Sequence, residues 1–121
     1  MKAELIDSNP VLKLTFEFSV MVIEYCELLE EKKKYVLSRQ LLKSATSIGA
    51  NCMEAQNAES KADFIHKFKV AAKETDETIY WLLLCKKSTG YPDCEQLLKK
   101  AEEIDKVISK IISTSKRQLS A

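Results

Sequence analysis

Two consecutive amphipathic patterns between Gln40 and Trp81 limit the possible folds more than any other feature of this sequence. In both patterns apolar residues recur at spacings of three and four, the period of an α-helix with one buried side. The first consists of Leu41, Ala45, Ile48, Cys52 and Ala55, and the second of Phe64, Phe68, Ala71 or Ala72, Thr75, Ile79 and Leu82. The 121 residues include only two glycines and two prolines. This scarcity favours long helices joined by short turns, so we predict an all-α fold.

Signals for helix ends divide the chain into four long helices. Asn9 can cap a helix whose first residue is Pro10, and Ser60 can cap a later one. Gly90 is a suitable residue just past a helix end. We therefore predict an antiparallel up-down four-helix bundle over 9–115, with helices at about 10–31, 35–57, 60–88 and 93–115. We expect residues 1–8 to form a loose or partly docked N-terminal arm and residues 116–121 a frayed tail.

The first long helix has more apolar residues than one buried stripe requires. One face consists of Leu12, Phe16, Val20 and Ile23. The second face consists of Leu14, Phe18, Met21, Val22, Tyr25 and Leu29. One face is enough for a monomeric bundle, so the second predicts contact with a partner. The candidates for an interface between copies of the chain are Phe18, Met21, Val22, Tyr25 and Leu29.

Several classes of protein are excluded by composition and motifs. No apolar run approaches the roughly 20 residues of a membrane span, and the N-terminus lacks the apolar segment of a secretory signal. We therefore expect a cytoplasmic protein. The four cysteines form no Cys-x-x-Cys pair, and with one histidine they predict buried reduced thiols rather than a metal site. No Glu-x-x-His pair, phosphate-binding loop or nucleophile elbow occurs, so we predict no enzyme, no cofactor and no metal.

Charge is unevenly distributed along a chain whose net charge is +1. Residues 1–31 have two lysines and seven acidic residues, whereas residues 32–73 have nine basic and three acidic residues. A basic middle third suggests nucleic acid as a partner. The candidates for binding it are Lys32, Lys33, Lys34, Arg39, Lys43, Lys61, Lys67, Lys69 and Lys73.

Two alternatives to nucleic-acid binding remain open for these lysines. The loop lysines at 32–34 can be a solvated turn. Lys69, Lys73 and Glu77 share one side of a helix, where they can form an exposed salt-bridged stripe. The same polar row can also pair with Ser47, Asn51 and Glu54 across a seam between helices or subunits.

Helices two and three also contain a recognisable series of residues. It runs Gln-Leu-Leu-x-Ser-Ala-x-Ser-Ile-Gly-Ala-Asn from Gln40, continues with Glu54-Ala55 and Asp63-Phe64-Ile65-His66-Lys67, and ends with Lys73-Glu74, Glu77-Thr78 and Tyr80-Trp81-Leu82. The series resembles the four-helix-bundle proteins encoded within intervening sequences of bacterial 23S ribosomal RNA genes, to which the accessory variability determinant of diversity-generating retroelements is similar. The resemblance implies structural signature positions at Ser47, Asn51, Glu54, Lys73, Glu74 and Glu77.

The resemblance also implies a non-enzymatic ring, typically a homopentamer. In the retroelement relatives, the ring works with a reverse transcriptase and RNA through a strongly basic surface. This chain departs from that pattern in its net charge of +1 and in Ala55, where some members have glycine. We therefore expect a homo-oligomeric helical-bundle adaptor that binds RNA or a ribonucleoprotein partner. The alternative is a protein-binding scaffold with no nucleic-acid role.

Overall fold

The computed structural model describes residues 2–120 and contains five α-helices in that range. They are α1 (Lys2–Ser8), α2 (Pro10–Glu31), α3 (Tyr35–Ala55), α4 (Lys61–Lys87) and α5 (Glu95–Ser120). Residues 2–120 contain no β-strand. The prediction of an all-α fold is confirmed.

The four long helices pack around one core with neighbouring helices antiparallel. The start of α2 meets the end of α3, where Asn9 lies 3.5 Å from Gln56, and Cys26 near the end of α2 contacts Ser38 at the start of α3. Across α4 and α5, Lys86 forms an ion pair of 3.0 Å with Glu95. Within residues 2–120, the backbone of α2 lies close to those of α1, α3 and α5, and the backbone of α4 lies close to those of α3 and α5, whereas α2 and α4 approach each other only through side chains such as Tyr25 and Cys85. The long helices thus form a four-membered circuit with α2 and α4 on one diagonal.

Helix ends follow the capping signals of the sequence. The Asn9 side chain accepts hydrogen bonds from the backbone N–H groups of the first turn of α2, at 3.2 and 3.4 Å. Ser60 accepts one from the Asp63 N–H at 3.0 Å at the start of α4. Gly90, in the loop after α4, has a φ of +85°, a conformation that glycine adopts without a Cβ clash. The short loops hold successive helices antiparallel.

The two chain ends are more ordered than the sequence predicts. The residues expected to form an arm at 1–8 instead form helix α1 from Lys2 to Ser8. Leu5 and Ile6 of this helix lie against apolar residues, and Asn9, which follows it, caps α2. The expected frayed tail at 116–121 continues α5 to Ser120, with Ser115 buried and Gln118 hydrogen-bonded to Lys61 at 3.0 Å. Met1 and Ala121 lie outside the described residues.

The face of α2 proposed as an interface between copies instead forms the core of the single chain. Phe18, Val22 and Leu29 are 0% exposed and Tyr25 is 5% exposed, while Met21 is half-buried. These side chains meet α3 and α5 within one subunit, and the Tyr25 hydroxyl donates to the Pro92 carbonyl at 2.7 Å. They are therefore unavailable to a second copy. Of the apolar residues that α2 exposes, Phe16, Val20 and Ile23 belong to its other face, whereas Leu28 lies beside Met21 and Tyr25; Leu12 of the other face is buried.

Candidate interaction surfaces

Three large apolar side chains project from the outer side of α2. Phe16 is 52%, Val20 44% and Ile23 45% exposed, at spacings that align them along the helix. Beside them, a groove of about 260 Å³ between α2 and α3 includes the small residues Gly49 and Ala50. Three exposed acids extend the same surface, namely Glu17, Glu24 and Glu27. We call Phe16, Val20, Ile23 and these acids the α2 face.

The outer side of α4 also exposes apolar side chains, together with lysines and the acids Asp76 and Glu77. Tyr80 is 57% and Leu83 44% exposed, and the Tyr80 ring meets the edge of the Trp81 ring at a centroid distance of 5.3 Å. Toward the start of the helix the same row exposes basic or titratable side chains, His66, Lys69 and Lys73. We call these five residues, His66, Lys69, Lys73, Tyr80 and Leu83, the α4 face. Since α2 and α4 lie on one diagonal of the bundle, their outward sides look away from each other.

The signature residues of α3 and α4 line the seam between those helices. Lys67 and Glu54 form an ion pair of 3.1 Å across it, with the Lys67 side chain 31% and that of Glu54 60% exposed. Asn51 and Ser47 instead bond back to their own helix, Asn51 Nδ2 to the Ser47 carbonyl at 2.9 Å and Ser47 Oγ to the Lys43 carbonyl at 2.7 Å. Ser47 and Asn51 thus bond within α3, whereas Glu54 contacts Lys67 of α4 across the seam.

Two buried hydroxyl groups, those of Thr78 and Ser44, form a hydrogen bond across the same seam. Thr78 Oγ1 lies 2.8 Å from Ser44 Oγ, and both residues are 0% exposed. Thr78 Oγ1 also lies 2.8 Å from the Glu74 carbonyl, and Ser44 Oγ lies 3.3 Å from the Leu41 carbonyl. Both hydroxyls therefore have partners despite complete burial. Their role is to position α3 against α4. Both belong to the series that resembles the 23S family, although a hydrogen bond between them was not predicted.

Glu74 is the most perturbed carboxyl group of this seam. Burial raises its pKa, and the neighbouring Glu77 carboxylate raises it further, although Lys43 and Lys73 lie close enough to oppose the shift. Glu77 accepts a hydrogen bond from Trp81 Nε1 at 3.2 Å. Two carboxylates between two lysines can accept hydrogen bonds from a partner's donors.

The lysines proposed to bind nucleic acid do not form one patch. Lys32, Lys33 and Lys34 lie in the loop before α3, where Lys33 has a φ of +63° and Lys34 Nζ lies 5.0 Å from the centre of the Tyr91 ring. Lys61 lies at the other end of the bundle. The intervening α3 has 21 residues, about 31 Å at ~1.5 Å per residue. The remaining candidates divide between α3 and different sides of α4, namely Arg39, Lys43, Lys67, Lys69 and Lys73.

The described chain offers little else of chemical interest. Residues 2–120 contain no group of three His, Cys, Asp or Glu side chains able to hold a metal ion. In the same range, no helix has the length and apolar character to cross a bilayer. Four free thiols are buried, and burial raises the pKa of each, that of Cys52 to about 12. Thiols that stay protonated are poor nucleophiles and ligands, so these cysteines act as small core residues.

The fold and its surfaces define a class: an all-α bundle with exposed apolar side chains on α2 and α4. The family model of the 23S rRNA-intervening sequence proteins matches residues 7–110, and the chain belongs to that family. The chain is also similar to a protein of unknown function from the S23 ribosomal protein family of Bacteroides thetaiotaomicron. Their identity is 41% and the TM-score 0.80, over 84% of this chain and 97% of that one. No curated protein matches the sequence.

Proposed function

We propose that the protein is a non-enzymatic adaptor that assembles from several copies of the same chain. The observation behind this proposal is the pair of exposed faces on diagonal helices. The α2 face is apolar and acidic, and the α4 face is apolar with Lys69 and Lys73 next to the exposed acids Asp76 and Glu77. Two different apolar faces, one of which offers lysines to the acids of the other, favour head-to-tail association, which closes into a ring when the rotation between copies permits it. Five copies is the number that the family resemblance implies.

The pairing can be tested by mixing two variants that each lose one face. Phe16→Ser/Val20→Ser removes the α2 face, and Lys69→Glu/Tyr80→Ser alters the α4 face. Each variant keeps one intact face, so each is expected to be monomeric by light scattering, at about 13.8 kDa. An equimolar mixture should form a 1:1 heterodimer, since one intact α2 face then meets one intact α4 face. Lys99→Glu, at an exposed position on α5, is the matched control and should assemble like the wild type.

Two results would contradict different parts of this proposal. A wild-type protein that stays monomeric at tens of micromolar removes self-association altogether. A wild-type oligomer whose two variants fail to form a heterodimer leaves self-association standing but refutes the pairing of α2 with α4. Circular dichroism of each variant checks that the helices are intact.

We further propose that the assembly binds RNA or a ribonucleoprotein. The family name and the basic residues of the middle third support this role. In the proposed assembly Lys69 and Lys73 meet acidic side chains of the next copy, which leaves Lys32, Lys33 and Arg39 exposed to a phosphate backbone. With a net charge of +1 per chain, we expect weak binding with a marked dependence on salt.

Filter binding of a single-stranded and a duplex RNA at 50 and 200 mM salt tests this role. Binding should weaken steeply at the higher salt concentration, and Lys32→Glu/Lys33→Glu should weaken it further without changing the oligomer. If neither RNA binds even at low salt, the RNA role fails. The protein-binding scaffold is then the better description, and the acidic α2 face already favours a basic protein partner.

A further inference from the structure

An open groove lies between the first turns of α4 and the last turns of α5. Its volume is about 420 Å³, and its apolar floor includes Phe64, Val107 and Ile111. Thr114 and Gln118 continue the α5 side of the groove. The positions 107, 111, 114 and 118 follow one another at spacings of four, three and four, so they form a straight stripe of about 17 Å along α5.

This groove continues the line that α2 follows through the bundle. Helix α2 begins at Pro10, and Pro10 and Leu14 line a neighbouring groove that also includes Val107. Beyond Val107, α5 runs on to Ser120 without α2 beside it. Within residues 2–120, the backbone of α5 lies close only to those of α2 and α4, and the backbone of α1 lies close only to that of α2. At this end of the bundle, α4 and α5 therefore continue without α2 beside them, and one apolar side of this pair is uncovered.

Cations surround the groove. Lys61 Nζ donates to Gln118 Oε1 at 3.0 Å and lies 5.2 Å from the centre of the Phe64 ring. On the other side, Lys110 lines the groove and Arg117 Nη2 lies 3.4 Å from Thr114 Oγ1. None of these three cations forms an ion pair with an acidic side chain of residues 2–120. The sequence from Lys106 to the C-terminus has four basic residues and no acid.

We infer that this groove binds an acidic amphipathic helix of a partner protein. The partner helix takes the fourth position of the bundle where α2 is missing, with its apolar stripe on Phe64 and Ile111. Its flanking carboxylates meet Lys61, Lys110 and Arg117. A long, open apolar trough suits a helix, whereas small molecules bind mostly in enclosed clefts.

This site is independent of the proposed self-association. The family match ends at residue 110, so the distal wall of the groove comes from the part of α5 outside it. Because the α2 and α4 faces are defined by other residues, assembly and helix binding can be measured separately.

Two synthetic peptides of fourteen residues provide the test. Both have leucine at the same i, i+4, i+7 and i+11 positions, but one has glutamates on the flanking positions and the other has lysines. Fluorescence anisotropy with the full-length protein should show the glutamate peptide binding at least about tenfold more tightly. Lys110→Glu/Arg117→Glu should weaken that peptide by about tenfold or more, because it replaces attraction with repulsion at two places on the rim. Lys99→Glu should leave binding unchanged, and Ile111→Ser should weaken binding of both peptides.

Four outcomes would overturn the inference. The first is equal affinity for the two peptides, and the second is unchanged binding by Lys110→Glu/Arg117→Glu. The third is a change in the oligomer mass of that variant, which would assign the groove to a second copy of this chain. The fourth is displacement of the bound peptide by RNA, which would make this end of the bundle a nucleic-acid surface.

Discussion

Gly49 offers a prediction whose sign is unusual for a substitution in a packed helix. It lies inside α3, where glycine is less favourable than alanine by about 1 kcal/mol. A Cβ atom at this position would lie 3.4 Å from Thr15 Oγ1, 3.5 Å from Thr15 Cβ and 3.6 Å from the Thr15 carbonyl oxygen. These are ordinary van der Waals distances, so a methyl group fits between α2 and α3. We therefore expect Gly49→Ala to stabilise the subunit by about 0.5–1 kcal/mol.

The stability measurement requires a subunit that does not assemble. In the Phe16→Ser/Val20→Ser background, Gly49→Ala should raise the midpoint of thermal unfolding by about 3–5 °C. Ala50→Gly, at the exposed neighbouring position, is the matched control and should lower stability by about 1 kcal/mol. A loss of stability on Gly49→Ala would refute the reasoning, because it would mean that α2 and α3 lie too close for the methyl group.

The same substitution reports on self-association in the wild-type background. Gly49 and Ala50 line the groove beside the exposed Phe16, so a helix of a second copy could approach closely there. An added methyl group should then weaken assembly while it stabilises the subunit. If Gly49→Ala weakens assembly but stabilises the subunit, the small residues Gly49 and Ala50 belong to the interface between copies.

Three further sets of substitutions test the seam between α3 and α4, the core with the α4 face as its control, and a buried thiol. In urea unfolding, Thr78→Val and Ser44→Ala should each lower the free energy of unfolding by about 1 kcal/mol. The double variant should lower it by less than the sum of the two, because each single variant and the double variant lose the same hydrogen bond between the two hydroxyls. Phe68→Ala should cost about 3–5 kcal/mol by leaving a cavity, whereas Tyr80→Ala, on the α4 face, should change subunit stability by under about 0.5 kcal/mol but weaken assembly. Burial raises the pKa of Cys52 from 9.0 to about 12, so the thiol of the unfolded chain ionises at a lower pH than that of the folded chain. The free energy of unfolding should therefore fall as pH rises through that interval. Cys52→Ala should reduce this fall, measured between pH 8 and 10.5.

The local pattern of the sequence was sufficient to predict the four long helices and most of their buried stripes, but not the short helix α1. Leu41, Ala45 and Ile48 are all 0% exposed, as their spacing on α3 indicates. An amphipathic stripe is visible in sequence because a single helix determines it, and Asn9 and Ser60 mark helix starts through short-range hydrogen bonds. These features do not depend on which helices become neighbours.

The buried face of α2 could not be predicted in the same way. Phe16 and Phe18 both belong to apolar rows, and periodicity alone does not tell which row meets α3 and α5. The choice depends on partners distant in sequence, such as the Pro92 carbonyl that receives the Tyr25 hydroxyl. One available signal was charge, since Phe16 and Val20 are interleaved with Glu17 and Glu24, which favour solvent.

The two proposed sites would strengthen each other if both exist. A single groove with a solvent-exposed rim should bind its helix weakly, because exposed ion pairs contribute little each. An assembly built through the α2 and α4 faces would present one groove per copy. A partner with several such helices would then bind through many weak contacts at once, at an effective concentration set by the spacing of the copies. Repetition of a weak site is one physical route by which an adaptor gains affinity, and Phe16→Ser/Val20→Ser should lower binding of a multivalent partner far more than binding of a single peptide.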